Sequence, residues 1–412
     1  MTAFDRRDFL VRTAGSAAAF GFAPDLMAVP FGRGRAPLRL AVVGLGRQGR
    51  AILGELAKFE QVEIAAICDV DERRLAAGGR RARGAAAFAD VGALLAGADG
   101  LQAVVIATPT HLHREPAEAA LRAGLHVYCE VPLASTTEDA RALALAARGS
   151  DRVFAVGLTA RTNPVYKLAR SFVVSGALER TAALEAAWNR KLPWGEAGRG
   201  DGGPGDHGWR LNPAVSLGLA GEIGGLQCDV FEWFLRISPA AVRGHGAVRY
   251  HDDGRRMADV VQCQFEYEDG LRMSYQASLC SSIGGQYELF RGSNATVKMA
   301  DTFGWMFKEA DAPVQGWEVY ASRERFHNDE GITLIADATK LAAQGKLKEG
   351  IGLPFPPLYY ALEAFLKSAL EGAKAHADAA VGLQAAVVGI AAARAVATGE
   401  RVAIDPADYE LD

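Results

Sequence analysis

Leu38-Arg39-Leu40-Ala41-Val42-Val43 is a short apolar run, and Gly44-Leu45-Gly46-Arg47-Gln48-Gly49 follows it at once. Beyond the last glycine, Ala51, Ile52, Leu53, Leu56 and Ala57 recur at helical spacing. A strand that runs through a glycine turn straight into a helix is the opening unit of a doubly wound α/β sheet, so this feature constrains the fold most. Gly44 permits the tight turn, Gly46 lets a pyrophosphate approach the backbone, and Gly49 lets helix and strand pack closely. The free N–H groups of the helix N-terminus then favour the phosphates.

The segments that follow keep the same order. Val62–Ile67 reads as the next strand and ends at Cys68-Asp69, with Asp69 lying 20 residues beyond Gly49. An acidic residue there bonds the adenosine ribose hydroxyls and repels a 2′-phosphate, so NAD is expected over NADP, although Arg73 and Arg74 soften the preference. The expected dinucleotide contacts are Gly44, Leu45, Gly46, Arg47, Gln48, Gly49, Asp69 and Arg74. Ala103–Ala107 is a further buried strand, capped by Thr108-Pro109-Thr110-His111-Leu112-His113; strand His126–Cys129 leads to Glu130-Val131-Pro132. Ligands of such sheets bind beyond the carboxyl ends of the strands, which makes Thr108, Pro109, His111, His113, Glu130 and Val131 candidates for the nicotinamide end.

Composition narrows the alternatives. A chain of 412 residues suggests two or three domains, and 50% hydrophobic with 23% charged residues excludes disorder. With 45 Lys+Arg against 49 Asp+Glu the net charge is −4, which argues against nucleic acid as a partner. No apolar run reads as long enough for a membrane span. Cys68, Cys129, Cys228, Cys263 and Cys280 lack metal-type spacing and read as small buried hydrophobes, so neither a metal nor a disulfide framework is expected. At the N-terminus, Asp5-Arg6-Arg7-Asp8-Phe9-Leu10 precedes a small, weakly apolar stretch and resembles a twin-arginine export signal, which implies a periplasmic protein.

From Arg180 to Tyr320 the apolar pattern changes to period two. Val261, Cys263, Phe265 and Tyr267 fall on one face, Glu268-Asp269-Gly270 makes a turn, and Leu271–Ala277 alternates back as a hairpin. Tyr287–Phe290 and Ala295–Met299 read as further strands, and Leu358–Leu370 and Ala379–Thr398 as helices. The expected fold class is α/β, an N-terminal Rossmann domain plus a C-terminal α+β domain with an open-faced, mostly antiparallel sheet. The expected boundaries are 1–35 for signal and linker, 36–155 for the dinucleotide domain, 156–330 for the sheet domain and 331–412 for helices packed on the body. The polar side of the hairpin, with Gln262, Gln264 and Arg272, suits pairing of two copies, so a homo-oligomer is expected.

Two pieces of the second half carry candidate chemistry. Residues 222, 226, 229 and 233 step by 4, 3 and 4, which places Glu222, Leu226, Asp229 and Trp233 on one helix face. The stretch from Arg190-Lys191-Leu192-Pro193-Trp194 to Trp209-Arg210 holds seven glycines in residues 195–208, a long loop of functional type. Arg190, Lys191, Trp209 and Arg210, together with Asp229, are candidates for stacking on and bonding a sugar ring.

The glycine turn, Cys-Asp-Val-Asp at 68–71, Ala-Thr-Pro-Thr-His-Leu-His at 107–113 and Ala-Gly-Leu-His-Val-Tyr-Cys-Glu-Val-Pro at 123–132 together resemble the Gfo/Idh/MocA family of NAD(P)-dependent sugar and polyol oxidoreductases. The resemblance covers nearly everything after residue 36. It implies a carbohydrate substrate, dimers or tetramers formed through the sheet, and a role for Arg161-Thr162-Asn163-Pro164-Val165-Tyr166, after strand Val153–Val156, where the chain crosses into the substrate domain; Arg161 is assigned to the cofactor on that basis. It also implies that the helix carrying Asp229 faces the nicotinamide. The chain departs from the family pattern at Val131, where a lysine is usual, and at Leu226, where a histidine is usual. Alcohol oxidation needs a proton acceptor, and Asp229, His207, Tyr166 and Lys191 remain open candidates. An exported enzyme without a nicotinamide pool is expected to hold its cofactor tightly. The Glu-Val-Pro triplet also resembles NAD-dependent exo-acting N-acetylgalactosaminidases, which makes redox-neutral glycoside cleavage one alternative and a non-catalytic sugar-binding relative another.

Overall fold

The computed structural model describes residues 36–195, 208–314, 322–326, 329–338, 341, 344 and 346–411. The twin-arginine segment, His207 and most of the glycine-rich loop lie outside the described residues.

Six parallel strands form the first sheet: β1 (Leu38–Val43), β2 (Val62–Cys68), β3 (Ala86–Phe88), β4 (Ala103–Ile106), β5 (His126–Cys129) and β6 (Phe154–Val156), in the order β3-β2-β1-β4-β5-β6. β1 and β4 are apolar along nearly their whole length because helices cover both sheet faces. The turn after β1 depends on glycine at two points. Gly44 has φ +88°, and a Cβ there would stand 2.6 Å from the carbonyl carbon of Ala107; a Cβ on Gly49 would stand 1.8 Å from the Gly44 carbonyl oxygen. Helix α1 (Arg47–Leu56) starts directly from this turn. Helices α2 (Glu72–Gly79) and α3 (Val91–Gly97) are capped by the carboxylates of Asp71 and Asp90, which accept the first free N–H groups. Helices α4 (Arg114–Arg122) and α5 (Thr137–Arg148) complete the unit, the latter capped by Thr136.

The second sheet contains ten of the described strands. It is built from β7 (Thr181–Asn189), β8 (Ala241–Ala247), β9 (Val260–Glu266), β10 (Arg272–Ser278), β11 (Gln286–Gly292), β12 (Ala295–Ala300), β13 (Phe303–Lys308), β14 (Arg323–Arg325), β15 (Glu330–Thr333) and β16 (Val402–Ala403). Its order is β14-β15-β13-β12-β11-β7-β10-β9-β8-β16, and among its paired strands only β7 and β10 run parallel. The hairpin follows the period-two pattern: Val261, Cys263, Phe265, Met273, Tyr275 and Ala277 are buried, while Gln262, Gln264, Arg272, Ser274 and Gln276 are exposed on the open face.

Four helices cover the inner face or join the two sheets. Helix α6 (Pro164–Val174) begins at Asn163, whose side chain accepts from the N–H groups of Val165 and Tyr166. A π-turn at Ala220–Gly224 runs into α7 (Gly225–Leu235), where the sequence pattern suggested one uninterrupted helix. Helix α8 (Pro357–Glu371) packs on α1, with Tyr359 stacked on Phe59 at 4.6 Å. Helix α9 (Ala379–Thr398) is long and apolar enough, by length and composition, to cross a membrane, which corrects the expectation that no such run exists. In the fold it is a core helix against α5, α7, the π-turn and β8. Its Gly389 touches the π-turn backbone so closely that a Cβ on Gly225 would stand 2.8 Å from the Ala385 carbonyl oxygen and one on Gly221 2.9 Å from that of Gly389.

All five cysteines are free thiols, four of them buried.

Candidate active site

The carboxyl ends of β1, β2, β4 and β5 open into a cleft of about 1340 Å³ that continues past the π-turn and α7 to the ends of β7 and β11. At its first end the wall is mostly backbone. Gly46 has open space where a Cβ would stand, in contrast to the crowded Gly44 and Gly49, so room remains at the glycine a phosphate must approach. Asp69, at the end of β2, accepts from Leu45 N–H at 2.6 Å and from Asp71 N–H at 2.9 Å, which fixes its carboxylate beside the turn. Arg47, Gln48, Val70 and Arg74 complete this part of the lining. The residues present fit a dinucleotide. Leu45 contributes backbone only, since its side chain is fully buried, and Gly49 acts in helix packing.

Thr108, Pro109, His111, Glu130 and Val131 line the middle of the cleft. Glu130 accepts from Gln48 Nε2 at 3.0 Å, and burial pushes its carboxyl up to about 7 against the pull of that bond. The His111 ring stands 5.9 Å from that of Trp209. His113, also in the cleft lining, has both ring nitrogens turned to backbone carbonyls. Its Nδ1 lies 3.0 Å from the Pro132 carbonyl oxygen and its Nε2 3.0 Å from that of Thr108, so the ring braces two strand-end loops. Burial lowers its pKa to about 4, outweighing the three carbonyls that favour the cation.

The far end is made of side chains, and several differ from the sequence expectation. Asp229 lines the cleft but is held by Arg161, whose Nε donates at 2.9 Å and Nη2 at 2.7 Å. A carboxylate with a bidentate cationic partner is a poor free base, so the assignments of Asp229 as base and Arg161 as cofactor contact both change to a buried ion pair. The Arg161 guanidinium lies 5.7 Å from the Trp233 ring, and Trp233 is not among the residues that line the cleft with Glu222, Leu226 and Asp229. Tyr166 is not a base either. Its hydroxyl donates to Glu288 Oε2 at 2.6 Å, and burial and the adjacent carboxylate push its pKa far up. Lys191 is exposed with its Nζ 5.0 Å from the Tyr250 ring, outside the cleft lining. Arg210 does line the cleft, between Trp209 at 4.5 Å and Trp194 at 4.9 Å, and Arg190 lies 5.6 Å from the Trp188 ring. Glu222 accepts from Thr110 Oγ1 at 2.9 Å and from Leu217 N–H at 3.3 Å, and burial raises its pKa against the opposing charge of Arg210.

Glu288, Gln227 and Asp301 were not among the sequence candidates, yet all three line the cleft. Glu288 accepts from Tyr166 and from Gln227 Nε2, each at 2.6 Å. A signal for it existed: Glu288 shares strand parity with Phe290, which puts an acid on the inward face of a buried strand. Among the described residues there is no cluster of His, Cys, Asp and Glu fit to hold a metal.

Two family models match the chain, one described as an oxidoreductase family with an NAD-binding Rossmann fold over residues 38–158, the other as the GFO/IDH/MocA C-terminal domain over residues 166–298. A 1,5-anhydro-D-fructose reductase of Ensifer adhaerens is 28% identical over 318 residues, 76% of this chain and 82% of that one. A glycosyl hydrolase family 109 protein of Stenotrophomonas maltophilia is 34% identical over 152 residues, which span 34% of this chain and 32% of the relative. A solved levoglucosan dehydrogenase in complex with NADH and levoglucosan superposes with a TM-score of 0.69 at 19% identity, over 89% of this chain and 99% of that one, and shares the fold. Together the two matched segments, the parallel and open sheets and the glycine-turn cleft between them make this chain a member of the Gfo/Idh/MocA oxidoreductase family with an NAD-binding Rossmann domain.

Proposed function

We propose that this chain oxidises or reduces a hydroxyl-bearing carbon of a sugar or polyol with NAD, and that it works in the periplasm with a tightly held cofactor. The observation that carries the reading is the continuity of one cleft, from the open Gly46 turn to a wall of Trp188, Trp194, Trp209, Arg190 and Arg210. Indole faces suit the C–H faces of a sugar ring, and guanidinium groups suit its hydroxyls. The similarity to an anhydrofructose reductase supports the substrate class. Asp69 supports NAD over NADP, and the paired Arg6-Arg7 supports export. The exposed polar face of β9 and β10 supports pairing of two copies through the sheet.

Held by the Gly44–Gly49 turn and Asp69, a nicotinamide cofactor would supply the hydride acceptor or donor for the carbinol carbon. The chain's own groups must orient the ring and move the hydroxyl proton. The aromatic wall orients, and the carboxylates of the cleft carry protons.

The test is to purify the protein, measure co-purifying and added NADH, and follow absorbance with a panel of sugars and polyols. Binding of NADH with turnover of at least one of them is expected; no affinity for NADH ends the reading. A redox-neutral glycosidase is the second reading, favoured by Val131 in the Glu130-Val131-Pro132 triplet and by the similarity to a family 109 glycosyl hydrolase. Release of the aryl group from a nitrophenyl glycoside without net NADH is its signature.

A further inference from the structure

The cleft contains several acids, and their partners separate them. Asp229 is bound by Arg161. Glu222 is bound by Thr110 and Leu217 and faces the charge of Arg210. Glu130 stands in the middle of the cleft, bonded by Gln48 of the helix that follows the glycine turn. Glu288 differs from all three. It is 1% exposed, held by two neutral donors from two different helices, and lies on the cleft wall. Beside it Gln227 is fixed in orientation. Its Nε2 faces three acceptors, Ala187 O, Tyr287 O and Glu288 Oε1, which leaves Oε1 buried without a partner in the same wall. A buried amide oxygen without a donor is destabilising, and a ligand hydroxyl would supply the missing donor.

We infer that Glu288 is the proton acceptor for the reacting hydroxyl, with Tyr166 and Gln227 as positioning residues and Gln227 Oε1 as the acceptor for a neighbouring hydroxyl of the same substrate. The inference rests on the oxidoreductase reading above and names the base that Val131 and Leu226 do not supply. In the oxidation direction the O–H bond breaks and its proton goes to the Glu288 carboxylate. The O–H electron pair becomes the second bond of the carbonyl, and the C–H pair leaves as hydride to the nicotinamide. A vicinal diol fits the pairing of Glu288 with Gln227 Oε1.

Burial pushes the Glu288 carboxyl up to about 7, with the bonds from Tyr166 and Gln227 pulling down and the charge of Asp301 pushing up. Asp301 in turn feels the opposing charge of Arg190. A base with its pKa near neutrality has the matched strength that general-base catalysis favours.

The experiment measures kcat/KM against pH for the whole protein on its best polyol or sugar. The wild type should show an acid limb near pH 7. Glu288→Gln should lose about 100-fold or more in kcat, lose that limb, and keep its NADH affinity by calorimetry. Tyr166→Phe should move the limb to higher pH, since it removes a bond that favours the carboxylate; Asp301→Asn should move it to lower pH. A structural role alone would not shift the limb in opposite directions. Side-chain NMR of isotope-labelled glutamate gives a readout without turnover: a resonance titrating near pH 7 should vanish in Glu288→Gln. Turnover in the wild type with the limb intact in Glu288→Gln, or abolished instead by Glu130→Gln, overturns the Glu288 assignment alone. NADH binding with no turnover of any sugar or polyol takes both readings down.

Discussion

The two ends of the cleft are built from different material. At the glycine-turn end the groups are backbone atoms and a few side chains, Asp69 and Gln48 among them, all within a few residues of a strand end. At the sheet end they are side chains brought together from distant parts of the chain: Tyr166 and Glu288 are 122 residues apart, Arg161 and Asp229 68. At Gly44 and Gly49 the first end tolerates almost no added volume, because backbone packs on backbone, while Gly46 faces open space. The second tolerates changes of volume but not of charge, because its acids are buried and depend on named partners.

The largest test of that contrast compares two glycines three residues apart. Gly49→Val places a Cβ against the Gly44 carbonyl, with no side chain to move aside, and should cost about 3 kcal/mol or more. Gly46→Ala meets nothing within 4 Å and should leave stability within about 0.5 kcal/mol while weakening NADH binding. Thermal unfolding and NADH titration of both variants check the pair; equal losses of stability would end the distinction.

At the sheet end, Arg161→Ala should cost about 3–5 kcal/mol by leaving Asp229 buried without its cation. Burial already raises the Asp229 pKa against the pull of Arg161, so the unpaired acid should take up a proton. The loss measured by urea unfolding should therefore shrink as pH falls.

A pH series separates the two kinds of buried titratable group. His113 has its folded pKa lowered to about 4 by burial, so the unfolded chain takes up the proton first. Stability is full above about pH 6.5 and falls as pH drops towards 4, by about 3 kcal/mol from this group. Glu130 and Glu288, with folded pKa raised to about 7, have the opposite sign: stability is full below the ordinary carboxyl range and falls as pH rises through 7. Urea unfolding of the wild type against His113→Asn isolates the first slope, and against Glu288→Gln the second.

The smallest expected effect sharpens the proton-acceptor assignment. Val131→Lys with Leu226→His restores the two usual family groups in a cleft that already has Glu288. The double variant should change kcat by less than about threefold, under ~1 kcal/mol in barrier. A gain of 100-fold would mean that the wild-type cleft lacks a working base.

Much of the fold is legible in the sequence because its signals are local. The apolar run into Gly44-Leu45-Gly46-Arg47-Gln48-Gly49 specifies strand, turn and helix through sterics that involve neighbours in the chain. The period-two pattern at 261–277 specifies the hairpin that β9 and β10 form, and Ala379–Thr398 is the helix its composition suggests. The parallel pairing of β7 with β10 and the π-turn at Ala220–Gly224 have no such signature. The π-turn arises where glycines on two helices allow backbone contact with α9.

The sequence by itself determined the strand order of chemistry along the first half, the dinucleotide turn and the acid at Asp69, because each depends on spacing within one βαβ unit. It also showed that Val131 and Leu226 cannot carry protons. Only the tertiary structure decided which acids are free. Asp229 looked available until Arg161 closed on it, Tyr166 became a donor, and Glu288, an inward-facing acid on a strand, acquired two donors from helices far away in the chain. The state of a buried carboxylate depends on its burial and on the charges and donors packed around it, and those neighbours are set by folding rather than by adjacency.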